Sequence, residues 1–424
     1  MSRISLRVPR KISRHRHRKK SLERAGSSQS RHGLDWMNFF TADVQTGFGA
    51  FVSFYLASLR WSQEDVGFAL TLGRLSGVIG LIPAGALTDT IRAKRGLAAA
   101  GLFMIAIAAL ILALHPTFVF VLTAEVLHGL TAGILGPAIA AISLGLVGRR
   151  AMSLRVGRNH RYDAAGNALT AAAMGLLGKY FTLKAIFVMA ATLTIPALIA
   201  LSRIRKDEID YDRARNAGKG EKGPNVQSIM ELRKNPNLLW FASCLALFQL
   251  ADASMLPLVS ERLGQSNVAV NPLLLSGLIV APQLVVSFFA PWVGYFSELW
   301  GRKPLLLIGF SLEIIRGVMF SFVTDSFLLT AVQILDGVSG AIVSVLTVVI
   351  ITDLTAGTGR FNLARGGVGM ITGVAASVST ALSGLVWQRA GEKTAFLSMA
   401  AVAVIATALL WYQLTETKPA KYVD

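Results

Sequence analysis

Long apolar runs alternate with short polar segments, most of them basic, along nearly the whole 424-residue chain. A helix that crosses a bilayer needs about 20 mainly apolar residues, and by that measure the pattern predicts twelve spans. Their limits are 36–59, 64–87, 96–114, 117–145, 163–181 and 183–203, then 237–259, 272–296, 304–323, 327–352, 366–388 and 394–415. The runs are continuous and lack the period-two alternation of a membrane strand, so they read as helices and not as a barrel. One long polar stretch with mixed charges, Arg205-Lys206-Asp207-Glu208 and then Lys219 to Lys222, separates six spans from six. The predicted organisation is a flexible basic tail over 1–34, a six-helix bundle over 35–203, a solvated linker over 204–236, a second six-helix bundle over 237–415 and a short tail over 416–424.

Composition sharpens this all-α membrane reading. Hydrophobic residues make up 53% of the chain and charged ones only 16%, against roughly a quarter charged in a soluble domain. A mean hydropathy of +0.54 is more than a water-soluble core of this size could hide. The single cysteine, Cys244, excludes an intramolecular disulfide and a multi-cysteine metal site. No metal cluster or cofactor motif is expected.

The net charge of +18 raises nucleic acid as a partner, but its distribution argues otherwise. Eleven Lys and Arg stand in residues 1–34 without interleaved aromatics, a pattern suited to anionic lipid headgroups. Under a twelve-span topology, 34 of the 42 Lys and Arg fall on the side of the two termini and six on the other. That asymmetry predicts cytoplasmic termini, and in a bacterium the plasma (inner) membrane. Six of the seven Trp lie near span ends, as interfacial rings do.

The two halves repeat. Gly85-Ala-Leu-Thr-Asp89 with Lys94 returns as Gly294-Tyr-Phe-Ser-Glu298 with Lys303, an offset of 209, and Glu125-x-x-His128-Gly129 returns as Gln333-x-x-Asp336-Gly337 at 208. The chain from Trp36 to Leu414 thereby resembles the major facilitator superfamily of secondary transporters. The second loop carries that family's Gly-x-Leu-x-Asp-x-x-Gly-Arg-Lys pattern as Gly294, Glu298, Gly301, Arg302 and Lys303, with Phe296 for Leu. The first keeps Gly85, Leu87, Asp89 and Lys94, followed by Arg95, but has Arg92 and Ala93 where Gly-Arg is usual, so the tight turn is not expected there. The resemblance implies two pseudo-symmetric six-helix bundles around a midplane substrate site. It also implies that the residues of these two loops form a cytoplasmic gate.

A charge at bilayer depth costs about 2.5–3.5 kcal/mol even on the lenient insertion scale, so each needs a partner or a cavity. Asp43, Arg74, Glu125, His128, Asp252 and Asp336 form the shortlist for proton coupling or the substrate cavity. Arg74 is expected to reach toward Asp43. Glu125 and His128, three apart on one helix face, are the first choice for taking up a proton. Glu313 and Arg316, also three apart, read as a structural pair.

The expected function is alternating-access transport of a small organic solute by a monomer, with protons as the coupling ion and no enzyme activity. Efflux by antiport leads over uptake by symport, and acids with one Arg suit an organic cation or zwitterion. A rival of another class is a non-transporting sensor or assembly protein of the same fold.

Overall fold

The computed structural model describes residues 26–46, 52, 55, 56, 58–218, 235–265 and 272–419, and over these the chain is almost entirely helical. The first half holds α1 (Ser28–Thr46), α2 (Gln63–Thr90), α3 (Lys94–Leu114), α4 (Phe118–Val147), α5 (Met152–Tyr180) and α6 (Leu183–Ser202). A short α7 (Tyr211–Ala214) leads toward the second half, which holds α8 (Pro236–Asp252), α9 (Met255–Gln265), α10 (Pro272–Trp300), α11 (Arg302–Phe322), α12 (Ser326–Leu354), α13 (Phe361–Ala390) and α14 (Glu392–Gln413). Helix starts follow local chemistry: Ser62 caps α2, Asn235 caps α8 ahead of Pro236, and Asp325 caps α12, each accepting bonds from first-turn amides.

Ten helical stretches among the described residues are long and apolar enough to cross a membrane, with α8 continuing into α9 as one of them. The helices α1 and α5 occupy the two remaining places of the expected twelve. Both begin earlier than the apolar pattern indicates, α1 at Ser28 and α5 at Met152. The reason is a buried ion pair: Asp35 of α1, fully buried, binds Arg155 and Arg158 of α5. These charges stand on helix faces that meet each other, so charge there does not mark a loop. Similarly α13 starts at Phe361, which carries Arg365 into the bundle.

Each half packs as a unit, α4 on α2 and α3 in the first, α10 on α12 and α11 on α14 in the second. Two seams join the halves, α2 against α13 and α5 against α10. At the end where the described residues begin and finish, here termed the basic end, one hydrophobic core runs through both halves, from Leu144 and Val156 to Phe241, Phe310 and Phe361. Toward the far end the described residues keep separate cores, one around Val121 and Phe187, the other around Val259 and Phe396. The bundles are therefore sealed at the basic end.

The segment after α6 is not a free linker over its described part. Tyr211 donates to the Thr90 carbonyl at 3.0 Å, and Asn216 donates to the Thr352 carbonyl at 2.7 Å in the second half. Residues 215–218 bond to the loop between α12 and α13, with Gly218 N–H on the Gly357 carbonyl at 3.1 Å. The solvated stretch expected over 204–236 is thus docked as far as residue 218. The flexible tail expected over 1–34 likewise yields to helix from Ser28 onward, while the basic run expected to meet lipid headgroups falls on residues 1–25, outside the described residues.

Candidate functional site

Four glycines make the two seams tight. A Cβ at Gly294 would lie 2.5 Å from the Ser153 carbonyl oxygen, and one at Gly157 would lie 2.5 Å from that of Ala290. On the other seam, Gly85 abuts the backbone of Asn362 and Gly366 that of Leu81. Gly85 pairs with Gly294 and Gly157 with Gly366 at the sequence repeat of 209, so both seams are built alike.

Four residues beyond Gly85 and Gly294, a loop acid clasps the opposite half. Asp89 accepts from the Leu363 amide at 2.9 Å, the Asn362 amide at 3.2 Å and Asn362 Nδ2 at 2.8 Å, capping the N-terminus of α13. Its symmetry mate Glu298 accepts from Ser153 Oγ at 2.6 Å, beside the start of α5. The basic residues act mostly within their own half. Arg302 is buried and binds Glu298 at 2.8 Å, Asp353 at 3.2 Å and the Ser297 carbonyl at 2.6 Å. Lys94 is equally buried and donates to the Thr88 carbonyl, the counterpart of Ser297, so Lys94 and not Arg92 takes the place of Arg302. Gly301 opens α11 at φ +97°, whereas Ala93 opens α3 at φ −77°, which is how the first copy dispenses with the glycine turn. Arg95 and Lys303 reach the carbonyls of Ser202 and Trp411 in their own bundles.

Inside this seal lies a cavity of about 500 Å3, walled by both halves. Its polar lining comes from His160 of α5, Gln249 and Asp252 of α8, Ser344 and Thr347 of α12, and Arg365 and Thr372 of α13. A smaller space of about 100 Å3 adjoins it toward Asn38, Asn159 and Asp163, sharing His160 and Arg365. Of the shortlisted residues whose side chains are described, only Asp252 lines the central cavity. Arg74 is exposed on α2 and acts electrostatically on Glu125, which is buried against Gly73. No described group hydrogen-bonds Glu125 Oε1. His128 is half-buried one turn further on. The side chain of Asp43, and with it the expected Arg74 contact, lies outside the described residues. The sequence reading missed His160, Asp163 and Arg365 because all three sit beside basic runs assigned to loops.

The pair Glu313–Arg316 turns out to be the hub of something larger. Arg316 Nη1 lies 2.9 Å from Glu313, 2.6 Å from Asp252 and 3.0 Å from Asp336, so one guanidinium faces three carboxylates from three helices. Gln333 adds a contact to Arg316 at 3.4 Å and donates to Asp336 at 3.1 Å. The three carboxylates converge within 4.8 Å, as metal ligands would, but the guanidinium already fills the point of convergence. Arg316 and Glu313 are closed off, with side chains 1% and 0% exposed, while Asp252 and Asp336 keep 24% and 27%.

Comparison with known proteins settles the family. The sequence profile described as the Major Facilitator Superfamily matches residues 34–287 and 265–423. The chain belongs to this superfamily of transporters. It is 35% identical over 387 residues to uncharacterized MFS-type transporters of Mycobacterium tuberculosis strains CDC 1551 / Oshkosh and ATCC 25618 / H37Rv, covering 91% of this chain and 93% of each relative. A crystal structure of the nucleoside transporter NupG, a point mutant, superposes with a TM-score of 0.63 over 91% of this chain and all of that one, at 14% identity. That likeness shows the fold. A multi-pass membrane protein of transporter family, not an enzyme, is what the sequence pattern had indicated.

Proposed function

We propose that the protein is a proton-coupled secondary transporter of a small organic solute, working by alternating access with both termini in the cytosol. The supporting observation is the Arg316 cluster. Three carboxylates share one guanidinium, so the fully ionised cluster carries two uncompensated negative charges at bilayer depth, a costly arrangement that a proton relieves most simply. Asp252 belongs both to this cluster and to the cavity wall, which brings solute and proton to one side chain. On this reading the clasped loops are the closed cytoplasmic gate, and opening requires Asp89 and Glu298 to leave the helix ends they hold.

The sign of coupling follows from the charge of the solute. A cation competes with protons at the cluster and gives exchange, the efflux direction expected from the sequence. An anion binds best once the cluster is protonated and gives symport, and Arg365 in the cavity wall favours this second direction. The test is a pH-sensitive dye inside proteoliposomes: solute added outside acidifies the lumen in symport and alkalinises it in exchange. Solute entry with no change in lumenal pH would refute the coupling.

A further inference from the structure

The cavity contains two fixed charges of opposite sign, and among the described residues only one has an ion-pair partner. Asp252 is held by Arg316 at 2.6 Å on the side away from the cavity. Arg365 has no such partner: its guanidinium donates to the Gly136 backbone carbonyl, and among the described residues no carboxylate comes within ion-pairing distance. Asp163 shares the smaller space with Arg365 without pairing to it. His160, close enough for Arg365 to act on it electrostatically, adds a further polar group to the same wall, beside Ser344. Leu245, Phe248, Val343 and Val348 supply apolar wall in the same cavity.

An isolated cation in a low-dielectric site is costly unless something brings a counter-charge. A backbone carbonyl supplies a dipole, not a charge. The guanidinium presents a planar fork of donors matched to a carboxylate or sulfonate, and one donor pair stays available while another holds Gly136. We propose that the cavity selects a small organic anion, an apolar body carrying one oxyanion group, with Arg365 as its counter-ion. This inference rests on the transporter reading above and supplies the solute class that the reading leaves open. It reverses the cation expected from counting acids in the sequence, because those acids gather on Arg316, where a proton neutralises them further, while Arg365 has no ionic partner among the described residues.

The experiment uses three probes on one ring: benzenesulfonate, benzenesulfonamide and benzyltrimethylammonium. Full-length protein is purified in detergent and its thermal unfolding followed at rising concentrations of each. The anion is expected to raise Tm, and the neutral and cationic probes to leave it unchanged. Arg365→Gln is expected to weaken the anion's apparent affinity about tenfold or more, Arg365→Lys to lose less, since a charge remains without the fork. Arg389→Gln, a control at an exposed arginine outside the cavity, is expected to keep the full anion response. Stabilisation by the cation in preference to the anion, an anion response that survives in Arg365→Gln, or no response to any probe would overturn the proposal. Uptake of labelled benzenesulfonate into proteoliposomes separates the two readings: binding without uptake leaves the ligand class standing and counts against transport.

Discussion

Gly294→Ala adds a single methyl group at the point where α10 passes the start of α5. The new Cβ would stand 2.5 Å from the Ser153 carbonyl oxygen and 3.1 Å from its carbon, where ordinary contact begins at 3.4 Å. Its obstacle is backbone, so the shortfall of about 0.9 Å must be met by separating the helices. Overpacking of this kind costs about 1–3 kcal/mol. That cost falls only on the conformation closed at the basic end, because alternating access parts this seam in the other. The closed-to-open ratio should therefore drop by roughly ten- to a hundredfold, while thermal stability changes little once the protein has opened. Spin labels on Thr90→Cys and Pro304→Cys, both exposed at the basic end on opposite halves, in a Cys244→Ser background, report the separation by pulsed electron resonance. Gly294→Ala should add or enlarge a long-distance population, and Gly157→Ala should do the same on the facing helix. A distance distribution identical to that of the parent would refute the claim that this seam is a closing contact.

Two further outcomes follow from the same geometry. Asp89→Asn removes the charge that caps α13, a contribution of about 0.5–2 kcal/mol, and should enlarge the same long-distance population; combined with Glu298→Gln on the separate α5 seam, the effects should add. Arg316→Met strands three carboxylates, at a cost of about 3–5 kcal/mol for a broken buried pair, and should lower Tm sharply, with Asp252→Asn and Asp336→Asn in the same chain recovering most of it.

What the sequence made legible were the features written locally and twice. The loop motif around Gly85 and Gly294 keeps its spacing because the acid must reach a helix end one seam away, and the structure finds both copies clasping. The spans were readable wherever a helix faces lipid, since lipid demands an unbroken apolar surface. The site was less legible for a related reason. Charges on α1, α5 and α13 face one another or the cavity, so Asp35, Arg155, His160 and Arg365 broke the apolar pattern and were assigned to loops. Arg316 fitted an isolated pair with Glu313, because spacing along one helix carries no record of Asp252 or Asp336 arriving from two others. Arg74 marks the converse limit. Its depth along α2 was readable, but not whether that face of the helix turns toward the cavity, and it does not line it.

The most direct test of proton-coupled transport takes no view of the solute. Proteoliposomes holding the full chain are placed in a defined mixture of organic anions, amines, sugars and nucleosides, with and without an imposed pH gradient, and their contents are read by mass spectrometry. At least one solute should accumulate or be depleted only when the gradient is present, and Asp252→Asn should abolish that dependence while the protein remains folded. Solute movement that is the same with and without the gradient, or gradient-dependent movement that persists in Asp252→Asn, would contradict the account.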